Sequence, residues 1–348
     1  MLILALNYSL TEITKTSIVK SQSKKSRKIE HKALLETLSS QKVMDSNISV
    51  HIPPGSCFHL PDPIFDQVSQ RFTTNLITAI INIVTAPIAV IVNALVVTAI
   101  FGTSRLRTPS NLLIACLALS DVFVGLTAQP GYITYRLMEN QHRSVPCFVR
   151  IIYCAAFYVC FGVSFMTLTA VSYERFVAVR VRVRYNNLFS YSRVLKYMLG
   201  IWIVNVLLAA LQWAQINHVA RGTHHVVWLV CLLVTGITQV AVLIIVRRSR
   251  QQVHGDAETI ENVRKQREVK VALRISLIVG VYLILNSPVL FVTFYHQTMG
   301  YNLKTYNYYS WAETFAFLNS CSNPVILFWK NQQVRQRIKD ILKNVVCW

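Results

Sequence analysis

Seven stretches with almost no charge run in series from about Thr73 to Trp329, each long enough to cross a bilayer as a helix. Asp, Glu, Lys and Arg are all absent between Arg71 and Arg105, Arg150 and Glu174, Lys196 and Arg221, Arg221 and Arg247, and Arg274 and Lys304. The stretches between Arg107 and Arg136 and between Lys304 and Lys330 each hold one carboxylate, Asp121 and Glu313. A hydrocarbon core about 30 Å thick needs roughly 20 apolar residues of helix. A soluble helix needs a polar face, so a soluble protein cannot hide seven such runs in series. The expected fold is an all-α membrane protein, a seven-transmembrane helix bundle. The chain divides into a tail over 1–70, a membrane domain over 71–329 and a short segment over 330–348.

The net charge of +20 at first suggests a nucleic-acid partner. Its distribution excludes that reading. Most of the 35 lysines and arginines fall at Arg105 and Arg107, from Arg175 to Lys196, from Arg247 to Arg274, and after Phe328, all on one side of the seven spans. The opposite loops hold only Arg136, Arg143, Arg150, Arg221 and Lys304. The excess of basic residues in inward loops places the C-terminus in the cytoplasm and the N-terminus outside. Anionic membrane lipid is the natural counterpart of the basic face. The tail carries the sequons Asn7-Tyr-Ser and Asn47-Ile-Ser, expected glycosylation sites on an outer tail, and a polar stretch from Lys15 to Lys42 expected to be disordered. Of eight cysteines, Cys116, Cys154, Cys160, Cys231 and Cys321 fall within spans, and Cys347 is a candidate for palmitoylation. Cys57 and Cys147 fall outside; a disulfide and two free thiols both remain open for them.

Polar residues inside the spans are expensive in hydrocarbon and mark function by default. Asp121 lies midway along the second span, Ser164 at similar depth in the third, and Asn319 and Asn323 one turn apart on the seventh. Together they make an oxygen-rich patch suited to a hard monovalent cation, sodium, or else a structural network between helices. Glu174-Arg175-Phe176 ends the third span at the basic side, and Glu268 begins the sixth on that side, a candidate partner for Arg175. Pro87, Pro130, Pro288 and Pro324 lie inside spans and mark kinks. No nucleophile–base set or metal-ligand spacing stands out, so enzyme chemistry has no foothold.

Taken together these residues resemble the rhodopsin-like family of G-protein-coupled receptors. The resemblance rests on Asn93, Asn111 with Leu117-Ala118-x-x-Asp121, Glu174-Arg175-Phe176, Trp202, Pro288 and Asn323-Pro324, in the family's order. Phe328 and the basic run Lys330 to Lys343 are similar to its short amphipathic helix along the inner membrane face. The resemblance implies a plasma-membrane receptor, a heterotrimeric G protein as partner, an extracellular ligand, and no cofactor beyond an allosteric sodium at Asp121. It assigns Glu174, Arg175 and Glu268 to a latch governing G-protein coupling. It also implies an extracellular disulfide from Cys147 at the third helix; the loop from Ala214 to His225 has no cysteine, so the partner is Cys57.

Several departures accompany the likeness. Cys147 stands about one helical turn beyond the family's commonest spacing from the arginine. Asn286 replaces the family's sixth-span tryptophan, Leu327 replaces the tyrosine after Asn323-Pro324, and the fifth span lacks a proline. The short second outer loop and the missing proline are similar to the melanocortin, cannabinoid and lysophospholipid branch. Phe157 stands where amine receptors carry aspartate, which argues against a monoamine. Tyr132, Phe157, Asn286, Tyr295 and Glu313 are candidates for the ligand pocket, which suits a peptide, a lipid or a nucleoside; Glu313 is expected to pair a ligand cation, or else Arg136 or Lys304. The alternatives are a seven-span binding protein that does not signal, and a transporter or channel, for which inverted repeats and several midplane charges are expected.

Overall fold

The computed structural model describes residues 57, 60, 65, 68–180, 185, 188–213, 218–253, 260–299 and 303–346. The sequons at Asn7 and Asn47, the stretch from Lys15 to Lys42 and Cys347 lie outside the described residues. Two compact units divide the chain, Met1–Phe58 and His59–Trp348, and the described helices belong to the second.

These helices are α1 (Val68–Phe101), α2 (Pro109–Asn140), α3 (Cys147–Arg180), α4 (Tyr191–Trp213), α5 (His218–Val253), α6 (Ile260–Met299), α7 (Leu303–Lys330) and α8 (Gln332–Val346). Six of the helices are both long and apolar enough to cross a membrane. Helix α7, at 28 residues, has the length, but Ser310, Glu313, Thr314, Asn319, Ser320 and Asn323 dilute its apolar character. All six of those side chains are buried, so the polarity of α7 faces the bundle and not lipid. Outward faces show the reverse pattern: Ile91 on α1, Ile237 on α5, and Ile284 and Phe291 on α6 are exposed. In water that surface would drive aggregation, whereas in hydrocarbon it is the solvated face.

Local chemistry sets the helix ends. Gly102 follows α1, and the Arg107 side chain donates to the Phe101 carbonyl, filling an acceptor that the helix end leaves open. Helix α2 starts with Pro109 at its first turn, where the Thr108 hydroxyl accepts the Asn111 N–H at 3.3 Å. The expected kink near Pro130 takes the form of a wider π-helical turn over Val124–Ala128, directly before the proline. The extra residue in that turn relieves the clash between the proline ring and the preceding turn. Gly125 sits inside it, and a Cβ there would come within 2.7 Å of Val90 and 3.0 Å of the Ala86 carbonyl, so glycine lets α1 and α2 meet closely.

Polar side chains then tie the bundle across helices. Asn93 on α1 donates to the Ser320 carbonyl of α7 at 2.7 Å. Gln129 on α2 donates to Asn82 on α1 at 2.9 Å, and Asn82 donates to Thr314 on α7 at 3.2 Å. Between lipid-soluble helices, such bonds and close packing hold the structure where water supplies no hydrophobic drive. Helix α8 buries Val334 and Ile338, one turn apart, and exposes Lys339, the amphipathic pattern expected for it.

Candidate functional site

The basic end of the bundle holds a cleft of about 580 Å³ lined by Ser110, Asn111, Arg175, Tyr185, Glu268 and Arg274 among others. Next to Arg175 in the chain, Glu174 is fully buried and collects several donors. Arg175 forms an ion pair with it through two nitrogens, Ser110 on α2 donates at 3.0 Å, and the Tyr185 hydroxyl donates from the segment after α3. Burial, reinforced by the Glu174 charge, pushes the Tyr185 phenol well above its ordinary range, which keeps it a donor. The remaining Arg175 nitrogen reaches Glu268 on α6 at 3.6 Å. The structure thus brings Glu174, Arg175 and Glu268 together, and adds Ser110 and Tyr185, which the sequence reading did not single out. Glu268 lies more than a full turn inside α6, because that helix begins at Ile260.

A second tie joins the same helices higher in the bundle. Gln239 on α5 donates to Ser172 on α3 at 2.9 Å, and its carbonyl accepts from Ser276 on α6 at 2.9 Å. One turn away, Thr235 and Thr169 share a hydrogen bond of 3.0 Å between α5 and α3. Gln239 links all three helices, and it does so through a buried side chain.

At mid-depth Asp121 accepts from Ser320 at 2.7 Å and from Asn323 at 3.2 Å. Ser164 pairs instead with Ser120 at 3.0 Å, and Asn319 borders the same small cavity. That cavity, about 20 Å³, is lined by Asp121, Ser164, Asn319 and Ser320, with Phe157 and Asn286 on its rim. The side-chain carbonyls of Asn319 and Asn323 are buried without a hydrogen-bond partner. A carboxylate, hydroxyls and the orphaned Asn319 carbonyl oxygen around a water-sized space, with the Asn323 amide on the same carboxylate, fit a hard monovalent cation. Ser320 was missed in the sequence, although it lies three residues before Asn323 on one face of α7.

The opposite end contains a charged network of which the sequence reading anticipated only the Arg136–Glu313 pair. Arg71 on α1 and Glu139 on α2 form a fully buried ion pair, and Asn75 donates to Glu139 at 3.0 Å. Arg136 on α2 reaches Glu139 at 3.4 Å and Glu313 on α7 at 3.2 Å. Tyr153 on α3 donates to the other Glu313 oxygen. Tyr132 is fully buried and donates to the Ser310 carbonyl at 3.0 Å. Its ring meets Phe317 at 5.5 Å, and Phe317 meets Phe157 at 6.2 Å. Tyr132, Phe157 and Glu313 are therefore neighbours through this network. Asn286 lies deeper and donates within α6 to the Tyr282 carbonyl at 2.8 Å. Tyr295 lies exposed on α6. Cys57 and Cys147 are both disulfide-bonded, as the expected bridge requires, while Cys116, Cys154, Cys160, Cys231 and Cys321 are free.

Residues 92–225 match the family model of the 7 transmembrane receptor (rhodopsin family). The matched stretch carries Asn93, Asn111, Asp121, Glu174-Arg175-Phe176 and Trp202.

Proposed function

We propose that this chain, with six helices long and apolar enough to cross a membrane and a match to the rhodopsin-like receptor family over residues 92–225, receives an extracellular ligand at the Arg136–Glu313 end and activates a heterotrimeric G protein at the Arg175 end. The N-terminus is then extracellular, and the C-terminus, with α8 and the basic loops, faces the cytoplasm of the cell whose plasma membrane holds it. One observation carries the reading: Arg175 stands at the mouth of a cleft of about 580 Å³ and is held there by Glu174 and, across to α6, by Glu268. Releasing Glu268 frees the end of α6 to swing outward, which widens the cleft for an amphipathic helix of the G-protein α subunit.

The Asp121 cavity is the resting-state counterpart. Asp121, Ser164, Asn319 and Asn323 would hold sodium, whose charge neutralises the buried carboxylate. With the charge balanced, Ser320 and Asn323 keep α7 drawn to α2 through Asp121.

A second reading, a ligand-binding protein that does not signal, is favoured by Asn286 and Leu327. Asn286 is spent on a bond inside α6, and Leu327 is a fully buried apolar side chain in place of a switching tyrosine. Nucleotide exchange on purified G protein by the receptor in nanodiscs separates the two. The receptor reading expects exchange above the empty-disc level that rises for Glu268→Ala and vanishes for Arg175→Ala. Exchange at the empty-disc level for all three proteins establishes the non-signalling protein instead.

A further inference from the structure

Four ion-paired charges, Arg71, Glu139, Arg136 and Glu313, none more than 3% exposed, are buried at the Arg136–Glu313 end, beside a fifth, Arg150, which donates to the Leu60 carbonyl at 3.4 Å. The four sum to zero. Taking such a set out of water costs as much as its internal attraction returns, so stability alone does not account for keeping it. Arg136 is the pivotal member. Its guanidinium carbon lies 4.9 Å from the Tyr132 ring centre, 5.0 Å from Tyr306 and 5.7 Å from Tyr135, a cage of aromatic faces around a cation. Its Nη1 and Nη2 reach Glu139 and Glu313, but its Nε is buried with no hydrogen-bond partner. Nε beside the Nη that a departing Glu313 would release is a fork of the shape a carboxylate fills.

Charge balance then selects among ligands. A bare ammonium joining Glu313 would strand Arg136 in a low-dielectric interior, and a bare carboxylate joining Arg136 would strand Glu313. A ligand with both groups replaces the Arg136–Glu313 pair charge for charge. We infer that this quartet is the binding site of a small zwitterion of the α-amino-acid type, its carboxylate taken by the Arg136 fork and its ammonium by Glu313. The inference rests on the receptor reading above and narrows its ligand. Beside the pair, Tyr153 meets Phe157 at 6.4 Å and Phe157 meets Phe317 at 6.2 Å, apolar rings against which the ligand's side chain would pack.

The test uses the full-length receptor in nanodiscs and reads its unfolding temperature. The probes are the free aromatic and branched-chain α-amino acids, their decarboxylated amines and their N-acetylated acids. At least one amino acid should raise the unfolding temperature saturably, while its amine and its N-acetylated acid do not. Arg136→Gln should pass the response to the amine, and Glu313→Gln to the N-acetylated acid. An amine or an N-acetylated acid that matches its parent amino acid on the wild-type protein overturns the inference, as does a panel without any response. The wild-type panel decides the matter even if either variant fails to fold. Basal nucleotide exchange by Glu268→Ala needs no ligand, so failure here is distinguishable from failure of the receptor reading.

Discussion

Gln239→Leu tests how α6 is restrained, and its size follows from the geometry. The substitution keeps the volume of a buried side chain and removes two bonds of 2.9 Å, one to Ser172 and one to Ser276. A net hydrogen bond contributes about 1 kcal/mol in proteins generally and about 0.6 kcal/mol on average between membrane helices. Ser172 and Ser276, once released, can turn to carbonyls of their own helices, which removes the penalty of an unpaired hydroxyl. Only the Ser276 arm resists movement of α6, so the resting state should lose about 0.6–1 kcal/mol relative to the active one. At 1.4 kcal/mol per tenfold, basal nucleotide exchange on G protein should rise about three- to fivefold. Thr235→Val is the control, because its bond to Thr169 joins α5 to α3 and leaves α6 out. Equal effects of the two variants, or unchanged basal exchange in Gln239→Leu, would refute the idea that α6 pulls away from Gln239 on activation.

Other outcomes follow from the same geometry. Unfolding of the purified receptor should shift to higher temperature in sodium than in a bulky organic cation, and Asp121→Asn, which removes the charge at nearly constant shape, should erase that difference. Gly162→Ala should destabilise the bundle by about 1–3 kcal/mol, the usual cost of overpacking. A Cβ at Gly162 would lie 1.9 Å from the Asn205 side chain, and a lower unfolding temperature checks it, with Gly200→Ala, which meets nothing nearby, as the neutral comparison.

How much of this was legible in the sequence depends on where each residue sits. Asp121, Asn323 and Arg175 announced themselves because hydrocarbon makes a polar group conspicuous among apolar neighbours. The partners Ser110, Ser320 and Tyr185 did not, since isolated serines and tyrosines are common in and beside membrane helices. The quartet was hidden for another reason. Arg71 and Arg136 marked the limits of charge-free stretches and so read as loop residues, yet α1 begins at Val68 and α2 runs on to Asn140. Helical geometry carries these charges into the bundle, where Glu139 and Glu313 neutralise them. Glu313 was noticed and Arg136 stood among its expected partners, as the 3.2 Å pair bears out, but Tyr153 on α3 and the link through Arg136 to Glu139 depend on packing that no local pattern encodes. The π-helical turn before Pro130 belongs to the same class: the proline was visible, while the response of α2 depended on its close contact with α1 at Gly125.

The central claim is that the Arg175–Glu268 contact restrains α6 over the G-protein cleft. Glu268 is 37% exposed, so this pair contributes only about 0–1 kcal/mol, and its loss should enrich the open state by up to about fivefold without emptying the closed one. The direct measurement is the distribution of spin–spin distances between nitroxides at Arg105 and Gln266, two exposed positions, the second on α6. In nanodiscs, the labelled receptor should show a dominant short distance and a minor longer one. Glu268→Ala should move population into the longer component, and added G protein should enlarge it further. A distribution that Glu268→Ala leaves unchanged, in a protein whose α6 still moves when G protein binds, would contradict the claim that this ion pair is the latch.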